Sequence, residues 1–439
     1  MKKALVLGAG LVAGPLVRYL LNVDGFTVTV ASRTVEKAQA LVSSAGNGIA
    51  LSLNVRDEAA LEALIADHDL SISLLPYVYH PTVARLCVKH HKQMVTTSYV
   101  KPEMQALDAS AKEAGVILLN EVGVDPGIDH MSAMEVIHKI ADRSGKLISF
   151  TSNTGGLPAP DANDNPFGYK FSWAPRGVVM AGKNPAKFLK NGEVIDVPGP
   201  ELFSYHWPCE IKGFGELEVY PNRDSMPYIE SYGIPTVTSM FRGTLRYPGW
   251  CETLKRIVDL GLLDEIERDD IAGLTYGRLL ARLIDSDGSD LRSDLAEFLG
   301  IAADSEPVAR LEWLGLLCDD AIPAVDNTYL DVVASRMLSK MGYAPGERDM
   351  LVMQHEFVIE YPDRMEKIAS TMVDYGIPNG DSSMSRLVGL PAAIAARMIL
   401  QGEINVTGVH VPIIPEIYKP VLAELAAMGI SFQETVETL

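Results

Sequence analysis

Several chemistries are missing from this sequence. Its four cysteines, Cys87, Cys209, Cys251 and Cys318, stand alone, with neither C-x-x-C spacing nor the density of a secreted disulfide framework, which points to a reducing, cytoplasmic setting. None of the nine histidines forms H-E-x-x-H or pairs with cysteine at ligand spacing, so no metal is expected; His90-His91 reads as a helix end. No G-x-S-x-G elbow supports acyl transfer. Basic residues are scarce, 38 Lys+Arg against 57 Asp+Glu, a net charge of −19. So acidic a surface repels phosphate backbones and anionic membranes, and neither nucleic acid nor membrane is an expected partner. No segment approaches the ~18 consecutive apolar residues of a membrane span. Lys2-Lys3 and the apolar stretch after them imitate a signal peptide, but Gly8, Gly10 and Gly14 interrupt that stretch and Arg18 closes it.

What is present is an ordinary globular composition, 47% hydrophobic and 22% charged, over 439 residues. At roughly 150 residues per domain this is about three domains. The first part alternates short β-branched or Leu-rich runs with longer amphipathic ones, the pattern of βαβ units around a parallel sheet. Ala4–Leu7, Thr27–Ala31, Ile49–Leu53, Leu70–Leu75, Met94–Thr97 and Val116–Leu119 are the expected strands. Pro102 to Ala114 is an expected helix, with Met104, Leu107, Ala111 and Ala114 on one face. From about Gly155 turn-formers and aromatics take over, and the strand-like pieces (Leu147–Ser152, Glu193–Val197, Glu216–Tyr220) suggest an antiparallel or mixed sheet. Residues 249–345 are leucine-rich at helical spacing. The tail carries an apolar helix (Ala392 to Leu400) and an amphipathic one (Tyr418 to Met428), expected to return to the first domain.

The sharpest local signal is Gly8-Ala9-Gly10-Leu11-Val12-Ala13-Gly14, a strand running into a glycine-rich turn and then a helix. Gly8 permits the tight turn, Gly10 lets backbone N–H groups approach a pyrophosphate, and a helix beginning near Leu11 offers its positive end. The spacing is one residue longer than the NAD fingerprint, and a plain βα turn is the alternative. At the end of the second strand, where NAD sites offer an acid to the ribose, the chain has Ser32-Arg33-Thr34. A guanidinium there suits a 2′-phosphate, hence NADP(H), unless Arg33 is simply a solvated first-turn residue. Asn54 and Val55 would flank the adenine, and Leu75-Pro76-Tyr77 would wall the nicotinamide, because open α/β sheets bind ligands beyond the carboxyl ends of their strands.

Two further strand ends carry polar groups, Thr96-Thr97-Ser98-Tyr99 and Glu121 through His130. Thr97 and Val124 are counted with the cofactor contacts. Tyr99 and Asp125 can lie near the nicotinamide and exchange protons with a reacting nitrogen or oxygen. Asp125-Pro126-Gly127 equally reads as a turn opening the next helix, with Asp129 as its cap. Downstream, Arg223, Arg242 and Arg246 fall within 24 positions of an acidic chain. Guanidinium forks would hold a polycarboxylate, unless they are absorbed in salt bridges with the surplus of acids.

In this order the motifs resemble a known family. Gly8-Ala9-Gly10, Ser32-Arg33-Thr34, Ser73-Leu74-Leu75-Pro76-Tyr77, Thr96-Thr97-Ser98-Tyr99-Val100 and Asn120 through His130 are similar to the NADP-dependent, glutamate-forming saccharopine dehydrogenases (saccharopine reductases). Gly155 through Pro160, Gly168 through Trp173, Tyr220 through Ser225, Arg242 through Tyr247 and Gly346 through Asp349 continue the similarity. The resemblance implies a homodimeric enzyme of lysine metabolism in which glutamate and 2-aminoadipate 6-semialdehyde condense to an imine that NADPH reduces to saccharopine. It implies an α/β fold with an N-terminal Rossmann doubly wound parallel sheet, a mixed α/β substrate domain and an all-helical insert. The expected divisions are 1–128 with 391–439 for the NADP-binding domain, 129–248 with 346–390 for the substrate-binding and dimerisation domain, and 249–345 for the insert. It also implies that Ser98, Tyr99, Asp125, Arg223, Thr244, Leu245 and Arg246 contact substrate and that Trp173 contacts cofactor. Departures are Thr154, where the family has cysteine before Gly-Gly-Leu-Pro, Asn54 in place of an aspartate beside the adenine, and the small Gly14.

Two alternatives remain in view. A carboxynorspermidine dehydrogenase-like enzyme would condense a diamine and meet it with carboxylates or aromatics rather than arginines. A non-catalytic NADP(H)-sensing protein would bind cofactor tightly without turnover.

Overall fold

The computed structural model describes residues 1–43, 45–172, 175–212 and 214–439. The chain forms two compact units, Met1–Gly145 with Gly380–Gln433 and Lys146–Asn379 with Glu434–Leu439.

In the first unit the expected alternation is realised as β1 (Lys2–Leu7), α1 (Ala13–Leu21), β2 (Phe26–Ser32), α2 (Val35–Val42), β3 (Gly48–Ser52), α3 (Glu58–Asp67), β4 (Leu70–Ser73), α4 (His80–Lys89) and β5 (Gln93–Thr96). Then come α5 (Pro102–Gln105), α6 (Asp108–Ala114), β6 (Ile117–Leu119) and α7 (Ile128–Asp142). The strands pair in parallel in the order β3-β2-β1-β4-β5-β6, that of a dinucleotide-binding sheet. A sheet covered on both faces needs strands that are apolar throughout, and Ala4, Leu5, Val6 and Leu7 of the central strand are fully buried. The stretch that imitates a signal peptide therefore supplies β1. The single helix expected over Pro102–Ala114 is two short ones. Leu107 N–H bonds back three residues to Met104 O at 3.0 Å, a tight turn that still buries Met104 and Ala111.

The second unit is built on a mixed sheet. Its elements are β7 (Lys146–Pro158), α8 (Pro175–Val179), β8 (Ala186–Lys190), β9 (Glu193–Val197), β10 (Trp207–Ile211), β11 (Gly215–Pro221), α9 (Pro227–Ser231), β12 (Ser239–Arg246), helices α10 (Trp250–Asp259), α11 (Tyr276–Leu283), α12 (Leu291–Leu299), α13 (Glu306–Leu314) and α14 (Tyr329–Lys340), then β13 (Asp349–Glu360) and β14 (Met365–Tyr375). The main order is β10-β11-β12-β7-β13-β14, with β12 parallel to β7 and antiparallel to β11, and β13 antiparallel to both β7 and β14. Residues 249–345 are helical, as expected, but they share one hydrophobic core with the sheet. Leu245 and Met350 from strands pack in the same cluster as Leu254, Leu311 and Met337 from helices. Lys170, only 4% exposed, pairs with Asp164 at 2.8 Å and Glu347 at 2.7 Å, which ties the 168–172 stretch to the 346–349 stretch.

The chain then returns to the first unit as α15 (Ser383–Gln401), β15 (Gly408–His410) parallel to β6, and α16 (Pro415–Ala427), before β16 (Gln433–Thr438) adds to β14. The divisions thus fall at 145, 380 and 433 rather than at 128 and 391, with the last six residues in the second unit. The first shift arises because α7 packs on α16, where the His138 ring stacks on Tyr418 at 5.7 Å and bonds its hydroxyl at 2.7 Å. Helix α15 is long and apolar enough to cross a membrane, a feature the count of consecutive apolar residues missed, but 72% of that stretch is buried in protein. It lies so close to α1 that a Cβ at Gly389 would sit 2.8 Å from Val12 O.

Candidate active site

The expected cofactor residues converge because parallel strands direct all their following loops to one edge of the sheet. Gly8 to Val12 follow β1, Ser32 to Thr34 close β2, Asn54 and Val55 follow β3, Leu75 to Tyr77 follow β4, Thr97 to Tyr99 follow β5, and Val124 and Asp125 follow β6. The strand order reverses between β1 and β4, and there Gly8 has φ +113° and a would-be Cβ 3.1 Å from Leu74 O. Only glycine fits that backbone without strain. Helix α1 starts at Ala13, two residues later than expected, because Ala13 N–H turns back to Gly10 O. Its first turn has no acid and no side-chain cap, so its positive end suits an anion, and Leu11 is 75% exposed beside it.

Arg33 is exposed and forms no ion pair among the described residues, while no carboxylate occupies the end of β2. Ser32 Oγ accepts the Thr34 N–H at 3.3 Å. These groups fit a 2′-phosphate. Asn54 is exposed and its Oδ1 accepts the Arg56 N–H at 3.1 Å.

Beyond β5 and β6 the polar groups are knitted together. The Tyr99 hydroxyl donates to Asp125 Oδ1 at 3.0 Å, and both side chains are half-buried. Glu121, at φ +59°, accepts the Val100 N–H at 2.8 Å through Oε1, while Oε2 lies 2.7 Å from His130 Nε2. That carboxylate anchors the loop carrying Tyr99 to the loop carrying Asp125. Gly127 has φ +149° and no room for a Cβ, which would fall 2.0 Å from Gly123 O; its N–H donates to Asp129 Oδ1 at 2.6 Å. The two readings of Asp125-Pro126-Gly127 are therefore compatible, the segment being a turn that opens α7 and that also presents Asp125 to Tyr99, but Asp129 is not the cap: Gly127 holds that position and Asp129 is the second residue of the helix.

In the second unit the arginines are spread along the sheet. Arg242 and Arg246 share a face of β12 four residues apart, about 13 Å at strand rise. Arg242 is buried, with its guanidinium 4.4 Å above the Tyr228 ring and Nη1 donating to the Tyr228 hydroxyl at 2.9 Å. Arg223 is exposed at φ +57° in the loop after β11, where the Asn222 N–H bonds Arg242 O. Arg246 is 5% exposed and lies over Tyr169 (4.8 Å) and Trp250 (5.5 Å). It donates to Leu245 O at 2.7 Å, its Nε has no partner, and no carboxylate pairs with it among the described residues. Burial pushes the neighbouring Tyr220 hydroxyl up to about 12, against the pull of Arg246. Leu245 is core, and half-buried Thr244 stands in register with Thr154, whose Oγ1 is buried without a partner. Trp173 lies outside the described residues.

Against known proteins, the family model described as saccharopine dehydrogenase NADP binding domain matches residues 4–119, and that described as saccharopine dehydrogenase C-terminal domain matches residues 123–430. The chain belongs to the saccharopine dehydrogenase family. Within it, the saccharopine dehydrogenase [NADP(+), L-glutamate-forming] of Schizosaccharomyces pombe is 40% identical over 99% of both chains. The mitochondrial alpha-aminoadipic semialdehyde synthase of Bos taurus is 40% identical over 99% of this chain and 48% of its own length. The solved apo saccharopine dehydrogenase (L-Glu forming) of Saccharomyces cerevisiae superposes with a TM-score of 0.92 at 38% identity, with both chains fully covered. For this saccharopine dehydrogenase family member, sequence reasoning missed His80 and Glu121. Glu121 lies two residues past β6 inside the polar stretch already singled out, whereas His80 opens α4 seven residues past β4 with no motif to mark it.

Proposed function

We propose that this chain is an NADP-dependent, L-glutamate-forming saccharopine dehydrogenase that interconverts saccharopine with L-glutamate and 2-aminoadipate 6-semialdehyde. The observation that carries this is the end-to-end 40% identity with enzymes of that name, covering cofactor and substrate domains alike. NADP(H) supplies or accepts the hydride at the imine carbon.

The protein's own groups do the rest. Gly8 to Val12 and the start of α1 hold the pyrophosphate, and Arg33 with Ser32 and Thr34 holds the 2′-phosphate. Asp125 stabilises the positive charge of the iminium and, with Tyr99, carries protons during imine formation and hydrolysis. Ser98, Arg223, Thr244 and Arg246 are the substrate contacts, the arginines matching carboxylates, while Leu245, its side chain fully buried in the core, contributes backbone alone. Because Thr154 stands where the family has cysteine, no thiol participates at that position. A homodimer, implied by the family resemblance, and a cytoplasmic location, favoured by four unpaired cysteines, complete the proposal.

The test is a substrate panel with the purified protein. NADPH oxidation should require glutamate and the semialdehyde together, with little activity from NADH. Equal turnover with diamines would favour the carboxynorspermidine type, and tight NADPH binding without turnover would favour a sensor. Sedimentation and cell fractionation test the dimer and the location.

A further inference from the structure

His80 opens α4 and is 4% exposed, within hydrogen-bond reach of Ser98 in the loop after β5. Its Nδ1 lies 2.9 Å from Ser73 Oγ, and its Nε2 lies 2.8 Å from Ser98 Oγ and 3.3 Å from Thr96 Oγ1. Thr96 Oγ1 donates to Ser73 O at 2.9 Å, so the threonine proton is already committed. Burial pushes the imidazole down to about 4, so it is neutral at ordinary pH and one ring nitrogen carries the single proton.

Proton accounting separates the two tautomers. With the proton on Nδ1, the ring donates to Ser73, and the fully buried Ser73 hydroxyl hydrogen has no acceptor among the described contacts, which leaves its desolvation uncompensated. With the proton on Nε2, Ser73 donates to Nδ1, and Nε2–H is shared between Ser98 Oγ and Thr96 Oγ1, both able to accept. Every buried proton then has a partner. The consequence falls on Ser98: its oxygen is engaged as an acceptor from behind, so its own proton is free to be given to something else.

We propose that His80 is a positioning residue that, as the Nε2–H tautomer, donates to Ser98 Oγ and so makes Ser98 a dedicated hydrogen-bond donor to a carboxylate of the substrate. The inference rests on the reading of Ser98 as a substrate contact. A hydrogen bond to a carboxylate, a group that does not change during the reaction, contributes equally to ground and transition states, and its loss raises KM while leaving kcat nearly unchanged.

The test has a spectroscopic and a kinetic arm. In protein labelled with 15N-histidine, with the His80 signal assigned by its loss in His80→Gln, the ring should show a protonated Nε2 and a bare Nδ1; a protonated Nδ1 overturns the proposal. In kinetics, Ser98→Ala should raise KM for saccharopine roughly tenfold or more. An unchanged KM would show that Ser98 does not touch substrate, and the inference would fall with that reading. Given the Ser98 effect, His80→Asn, which keeps an amide near Nδ1 but nothing near Nε2, should raise KM similarly, and His80→Gln, which restores an N–H near Nε2, should recover most of it. The Ser98→Ala/His80→Asn double variant should match Ser98→Ala alone, and KM for NADPH should stay constant throughout. Additive effects, or His80→Gln as impaired as His80→Asn, would leave Ser98 a substrate contact and remove His80 from its control.

Discussion

The Tyr99 hydroxyl donates to Asp125 Oδ1 across 3.0 Å, joining residues 26 positions apart in sequence at adjacent strand ends. The carboxylate is thereby oriented before any ligand arrives, with a proton donor already on it. Asp125→Asn keeps the shape and removes the charge and the basicity, so kcat/KM for saccharopine oxidation should fall about 100-fold or more. Tyr99→Phe should cost less, because the carboxylate survives. Absorbance of the reduced nicotinamide reads both, and unchanged thermal unfolding would assign the losses to chemistry.

Arg33 offers an exposed guanidinium where the sheet presents no competing acid. Arg33→Ala should weaken NADPH binding about 10- to 100-fold, the loss of a charge-assisted pair, while leaving NADH nearly unaffected. Titration of each nucleotide against tryptophan fluorescence checks this. Equal losses for both would mean that Arg33 does not touch the 2′-phosphate.

Arg246 is a buried cation held by aromatic rings and one carbonyl, without a carboxylate partner among the described residues. An internal ion pair was the alternative to ligand binding, and for this residue it is not what the side chain does. Arg246→Met preserves most of the volume and removes the charge. KM for saccharopine should rise by more than tenfold, with little loss of stability, since burying an unpaired charge is itself costly. Steady-state kinetics and urea unfolding separate the two quantities.

His80 also makes a stability prediction. Its ordinary value of 6.5 in the unfolded chain drops to about 4 in the fold because burial disfavours the charged ring. Above pH 6.5 neither state binds the proton and the contribution is complete. As pH falls from 6.5 to about 4 the unfolded chain takes up the proton first, so stability is lost, by about 3 kcal/mol from this group. Urea midpoints measured at pH 7 and pH 4.5 should therefore drop further for the wild type than for His80→Gln.

The first unit was largely legible because strands buried on both faces cannot alternate polar with apolar. Ala4–Leu7, Thr27–Ala31 and Met94–Thr97 each appear within a residue or two of their observed limits. Strand β15 was missed, since three residues carry no period. The second sheet was harder: β7, β13 and β14 run 13, 12 and 11 residues, yet polar Asn153, Gln354 and His355 lie buried within them. Buried polar residues blur the alternation that marks a strand, and only pairing with neighbours defines these segments, as where Gln354 Nε2 of β13 donates to Thr371 Oγ1 of β14 at 3.1 Å.

By itself the sequence determined the parallel sheet, the glycine turn at its head and the missing acid after β2, because each is a local pattern that backbone geometry enforces within a few residues. Which polar groups meet was decided by tertiary structure alone. His80 touches Ser98, and Tyr99 touches Asp125, only because β4, β5 and β6 are laid side by side in that order, and Arg246 lost the company of Arg223 because strand rise separates them. Hydrogen bonds act over about 3 Å, a distance that strand pairing sets and sequence spacing does not.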